Sequence, residues 1–313
     1  MRHLGGRDML RLDPDYIGRV THPHDDTTLP PEVAEHWSVT SDGRAWRGFM
    51  SSVWAVRGPG GEAWAIKIMD AHHTPTDEGL ALRAWAGHAR TASRVVRLLD
   101  SAGDLDGIPE ALLLQRLDAD RPLQDHPDIE AADEEIASAL AVLGEVEAPA
   151  GMRHMTRQLE RTAEAIREHW AQAPVLPERA VTAALATLYM LVHDPAVCAD
   201  RKLCHGDLHY KNVLRDLDDT RWVVIDPIPS AGLREIEVIA SLRNRWEDTL
   251  ASGDPDAFLG RRLDRVCEAA ALDPSRARAL AQAVAVDNLL WLLPREPESM
   301  FVQPYAVLAT WFD

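Results

Sequence analysis

The sequence predicts an α+β protein of two lobes, with a β-rich N-terminal lobe and a helical C-terminal lobe. Two observations predict this class. Between residues 36 and 114, several short segments alternate apolar and polar side chains with a period of two, which is typical of strands. After about residue 118, the apolar residues recur with the period of amphipathic helices. We therefore place the first lobe at residues 1–117, beginning with a polar lead-in arm at 1–35, and the second lobe at 118–313.

The first lobe is expected to form a small sheet with one embedded helix. Its strand-like segments are residues 36–40, 53–57, 63–69, 95–99 and 111–114. The tetrapeptide GPGG at 58–61 is a strong turn signal, so the second and third of these segments should form a hairpin. Between the third and fourth segments, residues 76–89 have the apolar spacing of a helix, with Thr76 as a candidate N-cap.

The second lobe is expected to consist mainly of helices. Amphipathic helices are predicted at residues 128–147, 152–172, 177–195, 254–272, 274–293 and 298–311. Two short strand-like segments, 212–214 and 222–225, interrupt this helical pattern. They should pair with each other across the polar turn at 215–221.

The charge balance indicates which partners to expect. The chain has 33 Lys and Arg against 50 Asp and Glu, a formal net charge of −17 at pH 7. Such a charge argues against nucleic acid or an anionic membrane surface as the main partner, and it is compatible with a cationic small-molecule substrate. The sequence has no run of about 18 apolar residues that would predict a membrane span. It carries no signal for an oligomeric state.

The cysteines and the start of the chain predict a cytoplasmic protein. Cys198, Cys204 and Cys267 are sparse, odd in number and without framework spacing, which indicates reduced thiols. Residues 1–12 are charged and lack the apolar core of a signal peptide.

The residues that suggest chemistry are concentrated in the segment HGDLHYKN at 205–212, the Asp207 loop, which is followed by IDP at 225–227. Asp207 is suited to accept a proton from an attacking hydroxyl, as the base of a phosphoryl transfer. Asn212 and Asp226 offer oxygens to Mg²⁺, which takes few protein ligands beside the phosphates of a nucleotide. This set predicts a kinase that uses ATP and Mg²⁺.

Residues of the first lobe fit a nucleotide site. Lys67 is suited to bind the α- and β-phosphates, and Glu78 to pair with Lys67. Two hydroxyls before the hairpin and two backbone positions at the joint of the lobes are further nucleotide-binding candidates: Ser51, Ser52, Gln115 and Leu117. Each candidate has a structural alternative: a surface Lys on an edge strand, a glutamate that favours a helix N-terminus, a plain turn or an ordinary strand end.

The histidines of the Asp207 loop allow a second interpretation. His205 and His209 stand at i and i+4, a spacing that zinc sites use. Gly206 and Asp207 between them disfavour a helix, however, and no third ligand with metal-site spacing is evident. We therefore interpret His205 as a structural side chain that orients the loop.

At this point the sequence resembles a known family. The segments 205–212 and 225–227 look like the catalytic core of aminoglycoside phosphotransferase-type small-molecule kinases, which share the bilobal protein-kinase-like fold. Within them the chain is most similar to the aminoglycoside 6-phosphotransferase and hydroxyurea phosphotransferase group, which includes streptomycin kinases. Further similar segments extend the resemblance over about residues 36 to 250: 82–87, 96–100, 111–117 and 244–246.

The resemblance implies ATP-dependent phosphorylation of a hydroxyl. It implies Asp207 as the residue that orients and deprotonates the acceptor, and Asn212 and Asp226 as the Mg²⁺ ligands. It also implies that Lys67 binds phosphate and that Glu78 pairs with Lys67.

The sequence departs from this group on the substrate side. Ile228 stands where the group often has Lys after Asp-Pro, and Glu237 where it usually has Asp. The acidic candidates to face a cationic substrate are Glu235, Glu237, Asp248 and Asp313. The leading hypothesis is phosphorylation of an aminoglycoside-like, streptomycin-type antibiotic. The alternatives are a kinase of the same fold for another metabolite and a nucleotide-binding module without catalysis.

Overall fold

The computed structural model describes residues 28–48, 51–69 and 77–312. The chain forms two compact units. The first contains the described residues up to Arg121 together with Leu214–Ile225, and the second contains Pro122–Val213 and the residues from Asp226 onward. Most of the predicted lead-in arm, and the predicted cap Thr76, lie outside the described residues.

Helix α1 (Pro31–Trp37) replaces the beginning of the strand predicted at 36–40. Pro31 occupies the first turn, where its missing N–H is not needed, and Ser38 ends the helix in the left-handed region at φ 52°. Val33 and Val39 are buried in one apolar cluster with sheet residues. The alternation at 36–40 therefore reflects a helix end and a turn, and the prediction of a strand there is wrong.

A five-stranded antiparallel sheet of order β1-β2-β3-β5-β4 forms the main part of the first unit. Its strands are β1 (Thr40–Arg47), β2 (Ser51–Arg57), β3 (Ala63–Met69), β4 (Leu98–Leu105) and β5 (Ile108–Gln115). The predicted hairpin joins β2 and β3, and its register pairs Arg57 with Ala63. The predicted helix is present as α2 (Glu78–Ala86), which buries Leu82 and Trp85.

A second sheet, of order β6-β8-β9, completes the first unit. Its strands are β6 (Leu117–Pro122), β8 (Val213–Asp216) and β9 (Trp222–Val224). The neighbouring positions of β8 and β9 confirm the predicted pairing across the polar turn. Val95, which was expected within a strand at 95–99, instead makes an isolated parallel bridge to Val224.

The second unit is mainly helical. Its longer helices are α3 (Ile129–Leu143), α4 (Met155–Gln172), α5 (Glu178–His193), α9 (Pro255–Ala270) and α10 (Pro274–Leu292). Its short elements are α6 (Pro195–Ala199), β7 (Leu203–Cys204), β10 (Ser230–Ala231), α7 (Val238–Leu242), α8 (Trp246–Ala251) and α11 (Val302–Leu308). The last predicted helix, 298–311, is thus confined to α11. The strands β7 and β10 pair with each other.

Helix α10 is the central helix of the second unit. It packs against α4, α5, α9 and α11 and buries residues on nearly every face, so it lacks a polar side. Asp287 and Asn288 are buried within it. In the described part of the chain, no helix is long and apolar enough to cross a membrane.

Candidate active site

The Asp207 loop leaves strand β7 and is held against the segment that follows β9. The backbone N–H of Ile228 donates to the carbonyl of His205 over 2.8 Å. Gly206 has φ +83°, and a Cβ at this position would lie 2.0 Å from the carbonyl oxygen of Ile228. Glycine is therefore required here, and the close approach brings the loop alongside the segment that carries Asp226.

Asp207 is buried and paired with an arginine that the sequence analysis did not select. Nη2 of Arg243 donates to Oδ1 of Asp207 over 2.8 Å. The other oxygen, Oδ2, lies 3.5 Å from Nε2 of His209 and 3.5 Å from Nδ2 of Asn212. The carboxylate is thus held at one oxygen by a short charge-assisted hydrogen bond and at the other by longer contacts within the loop.

Asn212 and Asp226 provide oxygen donors that fit Mg²⁺. Nδ2 of Asn212 donates to the backbone carbonyl of Asp207 over 2.9 Å, which directs the amide oxygen away from that bond. Asp226 has φ +59°, a left-handed conformation that Asp adopts more readily than most residues and that is common at functional sites. One carboxylate and one amide match the few protein ligands that Mg²⁺ takes beside phosphates. Over residues 28–48, 51–69 and 77–312, no cluster of three His, Cys, Asp or Glu suits a metal ion.

Both histidines of the loop bond to its own backbone. Nδ1 of His205 accepts a hydrogen bond from the N–H of Asp207 over 3.3 Å. Nδ1 of His209 accepts one from the N–H of Lys211, also over 3.3 Å. These bonds support the interpretation of His205 as a side chain that orients the loop.

Glu237 holds the backbone at the start of the Asp207 loop. Its buried carboxylate accepts hydrogen bonds from the N–H groups of His205 over 2.9 Å and of Gly206 over 2.6 Å. Burial raises the pKa of Glu237 to about 7, against the lowering effect of these two bonds. The assignment of Glu237 to a substrate cleft is therefore wrong, because both of its oxygens are engaged by the loop backbone.

The other acidic candidates for a substrate cleft are also engaged within the second unit. Glu235 is buried and lies 3.2 Å from Nη1 of Arg276. Asp248 accepts from Nε of Arg245 over 2.8 Å. Asp313 lies outside the described residues.

A buried polar network ties the Asp207 loop to neighbouring helices. The hydroxyl of Tyr210 donates to Asp133 of α3 and accepts from Arg262 of α9. Arg262 also donates through Nε to Asp133 over 3.1 Å and through Nη2 to the carbonyl of Ser241 over 3.1 Å. Burial raises the pKa of Tyr210 far above its ordinary value, so its hydroxyl remains a donor. No local sequence pattern pointed to this network, because its members come from distant parts of the chain.

Lys67 and Glu78 form a buried ion pair in the first unit. Lys67 lies in the middle of the sheet, on β3, where it pairs with Val53 of β2 and Leu112 of β5. Glu78 begins helix α2. The central position excludes the alternative of a surface Lys on an edge strand, and the pairing agrees with the sequence analysis.

The remaining nucleotide-binding candidates also lie in the first unit. Ser51 and Ser52 are buried at the start of β2, and Oγ of Ser52 accepts from Nη1 of Arg47 over 2.9 Å. Gln115 ends β5, and Leu117 begins β6. The structure thus places all six first-unit candidates on or beside the sheet, and it brings Lys67 and Glu78 into contact.

Comparison with known families gives a match over most of the chain. The family described as aminoglycoside/hydroxyurea antibiotic resistance kinase matches residues 36–294. Streptomycin 6-kinase of Streptomyces glaucescens is 33% identical over 283 residues, covering 89% of this chain and 86% of that protein. Hydroxyurea phosphotransferase of Kitasatospora aureofaciens is 34% identical over 269 residues, covering 84% of this chain and 73% of that protein.

The fold has solved counterparts. A thermostable mutant of aminoglycoside phosphotransferase APH(4)-Ia, in a ternary complex with ADP and hygromycin B, aligns with a TM-score of 0.58 over 90% of this chain and 96% of that chain. The sequence identity is 16%, so this likeness establishes the fold. The α+β, protein-kinase-like fold that the sequence predicts is thereby confirmed.

Proposed function

The chain belongs to the aminoglycoside/hydroxyurea antibiotic resistance kinase family, and we propose that it transfers the γ-phosphate of ATP to a hydroxyl of a streptomycin-type aminoglycoside. The observation that carries this proposal is the Asp207 loop, fixed by Gly206, Ile228 and Glu237 alongside the segment that carries Asp226. The loop supplies one buried carboxylate for the acceptor, and Asn212 and Asp226 supply a separate pair of oxygen donors.

The reaction is an in-line displacement at phosphorus. The acceptor oxygen forms a bond to the γ-phosphorus while the bond from that phosphorus to the β,γ-bridging oxygen breaks, and ADP leaves with the electron pair. The acceptor proton passes to Asp207 and then to water. Asp207 acts mainly by orienting the hydroxyl, because such transfers are catalysed by positioning and charge stabilisation.

Asn212 and Asp226 are the residues that would hold Mg²⁺. When bound, Mg²⁺ neutralises charge on the β- and γ-phosphates. The hydrogen bond from Asn212 to the Asp207 carbonyl links the proposed ligand to the loop that orients the acceptor.

The first unit is proposed to bind the nucleotide, and the second to bind the acceptor. Lys67 would contact the α- and β-phosphates, with its ammonium direction fixed by Glu78. The backbone of Gln115 and Leu117 would contact the adenine edge, and Ser51 and Ser52 the phosphates. The proposed use of ATP and the free state of Cys198, Cys204 and Cys267 support a cytoplasmic location.

The net charge of −17 and the streptomycin 6-kinases among the relatives support a cationic acceptor. A second candidate acceptor is hydroxyurea, because the hydroxyurea phosphotransferase is as similar to this chain as the streptomycin 6-kinases are. Hydroxyurea is small and neutral, so the two acceptors differ in both size and charge.

The test is a coupled ADP-release assay with streptomycin, other aminoglycosides and hydroxyurea, followed by mass spectrometry of the acceptor. We expect ADP release with streptomycin and an acceptor that is heavier by one phosphoryl group. Asp207→Ala should slow transfer by roughly 10²–10⁴-fold or more while nucleotide binding, measured by calorimetry, persists. Transfer to hydroxyurea alone would favour the second candidate, and ADP release without a phosphorylated acceptor would refute both.

A further inference from the structure

Asp207 shares its buried site with a cation that the proposed mechanism does not use. The Asp207–Arg243 hydrogen bond is 2.8 Å long, and the exposed fractions of the two residues are 6% and 9%. Two buried charges at this distance form a strong charge-assisted hydrogen bond. Arg243 directly follows α7, 36 residues beyond Asp207, so the contact depends on the tertiary fold.

We propose that Arg243 is a positioning residue for the phosphoryl transfer, and that it fixes Oδ1 of Asp207 so that Oδ2 receives the acceptor hydroxyl. This inference rests on the proposed function. The two described contacts of Oδ2 within the loop are longer, 3.5 Å to Nε2 of His209 and 3.5 Å to Nδ2 of Asn212. Asn212, which contacts Oδ2 through its amide nitrogen, is also the proposed metal ligand through its amide oxygen.

The protein holds both partners of this contact with one buried side chain. Nη2 of Arg262 donates to the hydroxyl of Tyr210, in the Asp207 loop, and to the carbonyl of Ser241, in α7. The same guanidinium therefore fixes the loop that carries Asp207 and the helix that leads into Arg243. This arrangement holds the carboxylate of Asp207 and the guanidinium of Arg243 in a fixed relative position, as the positioning role requires.

Further polar groups surround Arg243 in the second unit. Tyr305 of α11 is buried, and burial raises its pKa to about 12, with Arg243 lowering it and Asp207 and Asp287 raising it. These influences place Tyr305, Asp287 of α10 and the Asp207–Arg243 pair in one charged neighbourhood. Within this neighbourhood the carboxylate of Asp207 compensates the buried charge of Arg243.

The experiment compares Arg243→Gln, Arg243→Lys and Arg243→Ala with wild type, in the streptomycin assay and in nucleotide binding. General-base groups contribute roughly 10²–10⁴-fold to a rate, and we expect Arg243→Gln to lose a part of this, about 10- to 100-fold in kcat. The KM values for ATP and acceptor should stay within about twofold, because no substrate contact is removed. Arg243→Lys should retain more activity than Arg243→Gln because it keeps the positive charge. It should remain below wild type because it lacks the planar guanidinium group.

Chemical rescue separates positioning from folding. Guanidinium ion at millimolar concentration should restore part of kcat in Arg243→Ala and none in Asp207→Ala. Arg276→Gln, which breaks the pair with Glu235 in the same unit, is the matched control and should keep wild-type kcat. If circular dichroism shows that Arg243→Gln does not fold, the activity of Arg243→Lys and the guanidinium rescue of Arg243→Ala test the positioning role instead.

The outcomes are distinguishable. An active wild type with unchanged kcat in Arg243→Gln would overturn the role of Arg243 and leave the proposed function standing. A rise in acceptor KM alone would also overturn it, because this would indicate a substrate contact. A wild type that phosphorylates no acceptor would overturn the proposed function, and the positioning role with it.

Discussion

Replacing Glu237 with Gln should change how the stability of the protein depends on pH. Burial raises the pKa of this carboxyl in the folded protein from 4.5 to about 7. Because the folded-state pKa is the higher one, the folded protein holds the proton more tightly than the unfolded chain does. The contribution of Glu237 to stability is therefore fully present below pH 4.5 and is lost as the pH rises through about 7.

The loss is about 3 kcal/mol, since a pKa difference of one unit corresponds to about 1.4 kcal/mol. Glutamine does not titrate, so the free energy of unfolding of Glu237→Gln, relative to wild type, should rise by about 3 kcal/mol between about pH 4 and about pH 8. Burial outweighs the two backbone hydrogen bonds from His205 and Gly206, which favour the charged form.

The assay is urea unfolding followed by tryptophan fluorescence at several pH values, with the free energy taken from linear extrapolation. Glu134→Gln, at an exposed position of α3, is the control, and its stability relative to wild type should stay constant across the series. If the free energy of unfolding of Glu237→Gln relative to wild type also stayed constant, the raised pKa of Glu237 would be refuted. If this difference fell as the pH rose, the pKa of Glu237 would be lowered in the folded protein rather than raised.

Two further perturbations probe the support of the Asp207 loop. Arg262→Met removes the nearer of the two cations of buried Asp133 and leaves Arg265 at 3.5 Å. The free energy of unfolding in urea titrations should therefore fall by about 3 kcal/mol, and a loss below about 1 kcal/mol would contradict the role of the network. Gly206→Ala places a Cβ 2.0 Å from the Ile228 carbonyl oxygen and should abolish phosphotransfer. Gly253→Ala has a similar φ of +76° with nothing within 4 Å, so it should cost only about 1 kcal/mol; equal effects of both alanines on activity and on unfolding would contradict the argument.

Local patterns predicted the elements that depend on local physics. The GPGG turn fixed the β2–β3 hairpin, and the period of two located Lys67 on its strand. The prediction of a strand at 36–40 was wrong because a helix end followed by a turn can also alternate apolar and polar residues over five positions. The prediction of one boundary between residues 117 and 118 also assigned Leu214–Ile225 to the second lobe, whereas this segment belongs to the first unit.

The residues that hold the site are long-range partners, and this explains why they were missed or misassigned. Asp133 lies 129 residues from Arg262, and Glu237 lies 32 residues from His205. An acid or arginine in a sequence shows its charge but not the backbone groups it will meet. Arg243 carried no signal beyond its charge, because its role depends on the contact with Asp207.

The most direct test of the central claim is the rate of phosphate transfer from ATP to streptomycin by wild type and by Asp207→Ala. The wild type should yield phosphorylated streptomycin and ADP in equal amounts. The variant should be slower by roughly 10²–10⁴-fold or more while it binds Mg²⁺ and ATP as tightly as wild type does. Transfer by Asp207→Ala at a rate near that of wild type would contradict the assignment of the Asp207 loop as the site of the reaction.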